Sequence, residues 1–122
     1  MIHGDPVFTN IIINNYDKIK FIDMRGKINH INTVYGDWLY DWAKIYQSLI
    51  GYDNILLNVN INNTYSDELI LWFKTKFIEL YSLEDFHNLK IITQSLIFSL
   101  IPLHNDLNCI SFYKLIFSKH LI

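Results

Sequence analysis

Cysteine is almost missing from this chain: Cys109 is the only one in 122 residues. A lone thiol cannot close an internal disulfide, so packing must hold the fold, and a reducing, cytoplasmic interior is the expected compartment. Positive charge is also short, with 10 Lys and Arg against 12 Asp and Glu for a formal charge of −2. The basic residues are scattered and never form a run. That excludes a groove that tracks phosphates, and with it general binding to nucleic acid or to an anionic membrane surface. Long apolar runs are missing too. The most apolar stretch, "IITQSLIFSLIPL", is broken by Thr93, Gln94, Ser95, Ser99 and Pro102, and is too short and too polar to span a bilayer. The N-terminus has neither the basic nor the apolar region of a secretory signal. Without a secretory route, the N-N-T triplet at Asn62 is read as chance. The abundance of Asn, Ile and Lys in place of Ala, Gly and Arg is read as codon bias of an AT-rich genome.

What the chain does have is apolar surface. Its hydrophobic fraction of 51% and aromatic fraction of 16% can offset the ordering entropy, and the length fits one domain with one core. Two short strands are predicted, Ile11 to Ile13 and Ile19 to Asp23, joined by a turn of Asn14, Asn15, Tyr16 and Asp17. The segment "RGKINHINTVYGD" reads as irregular, with Gly26 and Gly36 as its flexible points. In "DWLYDWAKIYQSLIG", Leu39, Trp42, Ala43, Tyr46, Leu49 and Ile50 recur at helical spacing, and Gly51 supplies the stop. "YDNILLNVNINNTY" reads as a loop or small hairpin. Three more helices are expected: Ser66 to Tyr81, Ser82 to near Ile101 with Pro102 ending it, and Asp106 to the C-terminus. The helix from Ser82 is apolar on most sides, which places it in the middle of a bundle. A hairpin followed by four helices makes the expected fold class α+β, dominated by helix.

Two acids and an amide stand at chemically suggestive offsets. Asp5 and Asn10 are separated by four residues in "HGDPVFTN", and Asp23 ends the apolar strand "IKFID". A hairpin returns the chain to where it began, so Asp23 is expected back beside Asn10. Oxygen ligands of this kind suit a hard, octahedral cation such as Mg²⁺. Phosphoryl transfer from ATP needs such a set: a carboxylate for the attacking hydroxyl and two ligands for the metal.

"HGDPVFTN" followed by "KFIDMRG" resembles the aminoglycoside phosphotransferase and choline kinase-like family, whose mark is H-G-D-x-x-x-x-N and then I-D. The segment "KIKFIDMRG" is similar to capsule-associated members. The resemblance covers Ile2 to about Tyr52 with sharp motifs, and the remainder only as a helical tail. It implies the C-terminal lobe of a protein kinase-like fold, spanning 1–122 as a single domain with the N-terminal lobe absent. It implies ATP and Mg²⁺ as cofactors and the hydroxyl of a small molecule as acceptor: a sugar, a nucleotide sugar or an amino alcohol. Asp5 would be the catalytic base, Asn10 and Asp23 the metal ligands. His3 matches an architectural loop histidine. A later Asp on the following helix anchors the loop in this family; Asp41 is the candidate, with Asp37 competing.

The glycine after Asp23 comes one place later than in protein kinases, which favours the small-molecule branch. No Gly-rich phosphate loop and no strand-borne Lys precedes the motif, so weak or no turnover is expected of the chain alone. A separate polypeptide supplying the upper lobe is the expected partner. The rival reading is a non-catalytic, truncated or split-gene remnant that serves as a helical interaction module. A third reading makes the chain part of a polysaccharide-modifying protein fused to a nucleotidyltransferase.

Other residues receive ordinary readings. Trp38 and Trp42 are packing residues, though one could border the acceptor pocket. Arg25 is read as an ion-pair partner or a phosphate contact. Asp67, Glu68, Glu84, Asp85 and Asp106 are read first as charges at helix N-termini and second as an amine-binding set. His30, His87, His104 and His120 lack ligand-like spacing, so no zinc site is expected. Substrate choice is assigned to the insertion from Asn54 to Thr64 and to the helices after it.

Overall fold

The computed structural model describes residues 1–59 and 63–122. The triplet at Asn62, and the middle of the insertion assigned to substrate choice, lie outside the described residues. The architecture is α+β: among the described residues, two small antiparallel sheets precede five α-helices. Among the described residues, no helix is long and apolar enough to cross a membrane.

A short loop and a single 3-10 turn, Phe8–Asn10, lead into β1 (Ile11–Ile13), which pairs with β2 (Ile19–Phe21). The register sets Ile11 against Phe21, Ile12 against Lys20 and Ile13 against Ile19. Asn14 makes the turn between them, because its side-chain oxygen accepts from the amides of Tyr16 and Lys18 at 3.0 and 2.9 Å. The next segment is not irregular as expected. It forms a second hairpin, β3 (Lys27–Ile28) with β4 (Ile31–Asn32), turning through Asn29 at φ 53°. Strands of two residues carry no period-2 pattern, so the sequence gives no warning of them.

Helix α1 spans Trp38–Leu49, and Asp37 caps it by accepting from the Leu39 amide at 2.9 Å. Where a loop or hairpin was expected, residues Tyr52–Leu57 form α2, ended by Asn58 in the left-handed region. At six residues α2 is too short to show a helical period. Packing stabilises it instead, with Tyr52 stacked on Phe112 at 5.6 Å between ring centres. Helix α3 (Asn63–Leu80) begins earlier than the expected Ser66. Helix α4 (Leu83–Leu100) starts at Ser82, whose hydroxyl accepts from the Asp85 amide at 2.9 Å. A 3-10 turn holding Pro102 follows it, and α5 (Asp106–Ile116) stops short of the C-terminus.

The core lies among the helices. Ala43 and Tyr46 of α1, Phe73 and Phe77 of α3, Leu89 and Ile97 of α4, and Phe112 of α5 are all buried in it. Helix α4 packs against α1, α3 and α5, so it occupies the middle of the bundle. Trp42 packs edge-on against Phe73 and Phe77, and Trp38 stacks over Phe77, so both are packing residues. The strands contribute nothing buried: Ile12, Ile13, Ile19 and Phe21 are exposed, as are Ile28 and Ile31.

Candidate active site

Helix α1 presents one stripe of polar side chains to the N-terminal loop. Asp41, Lys44 and Ser48 fall at i, i+3 and i+7, which puts them on the same face. The Asp41 carboxylate accepts the His3 amide at 2.6 Å through one oxygen and the Gly4 amide at 2.8 Å through the other. Lys44 Nζ lies 3.1 Å from Asp5 Oδ1. Ser48 Oγ accepts from the Phe8 amide at 3.1 Å. Of the two acids competing for the loop, Asp41 contacts it and Asp37 caps the helix. Gly4 meets a double requirement here. Its φ is 85°, and a Cβ at this position would stand 2.8 Å from Arg25 Cβ, so no side chain fits.

Asp5, Asn10 and Asp23 are tied together through the backbone. The Asn10 side chain donates from Nδ2 to the Asp5 carbonyl at 2.9 Å. Beyond β1 and β2 the pairing continues one step, with the Ile22 amide donating to the Asn10 carbonyl at 3.0 Å. Three residues later the Arg25 amide donates to the His3 carbonyl at 3.0 Å. Asp23 sits between those two bonds and is therefore held beside both ends of the loop. Its φ of 59° is unusual for a residue with a Cβ. Its side chain is exposed, and among the described residues its carboxylate has no hydrogen-bond or ion-pair partner. His3 accepts from the Asp5 amide at Nδ1 at 3.3 Å, its ring lies 5.6 Å from Phe21, and its Nε2 is buried without a partner.

Among the described residues, no group of three or more His, Cys, Asp and Glu side chains converges as a metal site. One amide and one carboxylate do not make such a group; with them alone, a hard cation would draw its remaining oxygens from phosphates and water. The donor chemistry fits that arrangement. Because Asn10 Nδ2 is committed to the Asp5 carbonyl, its Oδ1 is the atom left to face a cation.

Two site-adjacent residues were not read from the sequence as such. Lys44 could have been found from its spacing to Asp41 on the helix. Asp53 could not, because the short helix that buries it was not foreseen. Burial pushes the Asp53 carboxyl above the ordinary carboxylate range, and the negative charge of Asp5 adds to this. Ser48 and the Phe8 amide lie near enough to oppose that shift in part, but neither Asp53 oxygen has a partner at hydrogen-bond geometry. The Tyr52 hydroxyl is raised by burial and by the same two acids.

Arg25 pairs with no acid among the described residues; its Nη1 donates to the Tyr40 hydroxyl at 3.1 Å. Beside it, a cavity of about 270 Å³ is lined by His3, Gly4, Lys27 and Tyr40. A larger groove of about 850 Å³ runs between α2, α3 and α5, past Asn54, Asn58, Asp67, Asn105, Asn108 and His120, away from the N-terminal loop. Of the acids read as helix N-terminal charges, Glu84, Asp85 and Asp106 stand in first turns. Asp67 does not, because α3 begins earlier than expected. It pairs instead with Lys119 at 2.6 Å and His120 at 3.4 Å.

Compared with known proteins, the chain matches no family model, no curated protein and no solved structure.

Proposed function

We propose that this chain is the catalytic lobe of a kinase-like phosphotransferase that acts on the hydroxyl of a small molecule, a sugar, nucleotide sugar or amino alcohol. Asp5 orients the acceptor hydroxyl and takes its proton. Asn10 Oδ1 and the Asp23 carboxylate hold Mg²⁺. Asp41 fixes the loop through the His3 and Gly4 amides. When bound, Mg²⁺ and ATP supply the phosphoryl group and neutralise the charge on its oxygens. One observation carries the reading: Asp23, exposed and in a rarely used backbone region, is bracketed by the bonds from Ile22 to Asn10 and from Arg25 to His3. Asn and Asp enter the left-handed region more readily than other residues, as Asn29 and Asn58 do in a turn and at a helix end; Asp23 does so between the two bonds that bracket the loop, where such residues recur at working sites.

A second reading is a helical interaction module without catalysis, and the bare strands favour it. The apolar side chains of β1 to β4 lie open to solvent, and paired strands this short need a covering surface to be stable. The two readings meet if a separate polypeptide covers this face and completes the nucleotide site. In that case the chain alone turns over weakly and the covered chain turns over well.

ATP consumption with Mg²⁺, measured on the chain alone and with a candidate partner, separates them. Asp5→Asn is expected to lower turnover by about 10²- to 10⁴-fold, the usual contribution of a positioned base. Turnover that persists in Asp5→Asn rules the catalytic assignment out.

A further inference from the structure

We infer that Lys44 is a positioning residue for this phosphotransfer, holding one oxygen of Asp5 inward so that the other meets the acceptor. The inference rests on the proposed function and adds a residue to it. Three observations carry it.

The first is the geometry of the Asp5 carboxylate. Lys44 Nζ stands 3.1 Å from Oδ1, and Oδ1 itself is shielded from solvent. Yet the Asp5 side chain is 37% exposed, so its exposure belongs to the rest of the group, Oδ2 included. One oxygen points into the protein against a cation and the other points out.

The second is the environment of the cation. The Lys44 side chain is only 12% exposed, which is rare for lysine unless its charge is matched. Lys44 sits between Asp41 and Ser48 on the stripe of α1 that meets the loop. Those two neighbours hold backbone amides of His3, Gly4 and Phe8. Lys44 alone holds a side chain, and that side chain is the one assigned to take the proton.

The third is a partner that Lys44 does not take. Asp53 is the more buried acid and close enough for Asp5 to shift it; among the described residues its oxygens, like Asp5 Oδ1, have no partner at hydrogen-bond geometry, and Asp5 differs in having the ion pair. Of the two acids, the cation stands beside the more exposed one, so burial alone does not set the pairing. No ion pair joins Lys44 to Asp53; the cation is spent on the loop acid instead.

In the step so served, the acceptor hydroxyl gives its proton to Asp5 Oδ2. The electron pair freed on the acceptor's oxygen forms the new bond to phosphorus, and ADP leaves with the pair from the broken phosphorus–oxygen bond. Lys44 stays protonated throughout and exchanges nothing.

Lys44→Met keeps the stem and removes the charge; Lys44→Arg keeps the charge. A crystal structure of Lys44→Met is expected to retain the bonds from the His3 and Gly4 amides to Asp41 while the Asp5 carboxylate leaves its place. An unmoved Asp5 overturns the inference, whether or not the chain turns over. In Mg²⁺-dependent ATP consumption, Lys44→Met is expected to lower kcat by about tenfold or more, with KM for ATP unchanged, and Lys44→Arg to recover most of it. A loss that falls on KM, or no loss in a chain that Asp5→Asn inactivates, overturns the positioning role alone. Activity that survives Asp5→Asn overturns the phosphotransfer reading, and Lys44's role with it.

Discussion

Asp53 shows how much a single side chain here depends on its surroundings. It is 6% exposed, and among the described residues its oxygens have no partner at hydrogen-bond geometry. Its carboxyl is raised, so the folded chain binds this proton more tightly than the unfolded chain does. Below the ordinary carboxylate range both states are protonated, and burial carries no electrostatic cost. As the pH rises above that range, the unfolded chain ionises freely while the folded chain must hold a buried charge, so stability falls. Asp53→Asn removes that charge. Thermal melts across pH are expected to show the variant gaining on the parent protein as the pH rises from about 4 towards 7, with little difference in acid. An advantage that instead grows on acidification would assign the opposite sign to this group. Asp5 has a cation beside it, and Asp23 faces water. Three aspartates within one site region thus have three environments, and residue type alone distinguishes none of them.

At the scale of the element, α1 matters most, because it serves both the bundle and the loop. Its buried side, with Ala43, Tyr46 and Leu49, joins the core, while Asp41, Lys44 and Ser48 hold the segment from His3 to Phe8. The apolar periodicity of this helix was legible in the sequence, as was its stop at Gly51. The polar stripe was legible only in part: Asp41 stood out through a resemblance, and nothing singled out Lys44. Asp41 holds two amides at once, one of them in buried Gly4, so its removal leaves donors hidden from water. Asp41→Ala is expected to cost roughly 2–4 kcal/mol, read as a lower urea midpoint, with the helical circular dichroism retained. A cost within the range of a surface substitution, about 0.5 kcal/mol, would mean that the loop does not depend on this carboxylate.

For the molecule as a whole, stability and chemistry lie in different places. The helices enclose the core around α4, whose Leu89 and Ile97 are completely buried. The strands and the loop carry the candidate site; the strands bury nothing, while the loop buries Gly4, Pro6 and Val7. Leu89→Ala is expected to destabilise the chain by roughly 2–5 kcal/mol, checked by urea unfolding with an unchanged denaturant slope. A shallow loss there would place the core elsewhere. The central place of α4 was legible because its sequence is apolar on most sides. The second hairpin and α2 were not, since elements of two to six residues have no period to read, and contacts made by distant parts of the chain stabilise them. Tyr52 finds Phe112 only after α5 has folded back upon α2.

The sequence by itself determined the spacing of Asp5, Asn10 and Asp23, the hairpin that returns the third to the second, and the four longer helices. These are local matters of turn chemistry and periodicity. Only the tertiary structure decided that Asp41 rather than Asp37 holds the loop, that Lys44 stands against Asp5, and that Asp53 is buried without a bonded partner. Each of those depends on which face of a helix meets which segment, and on how much water is left between them. Neither is a property of any short stretch of chain.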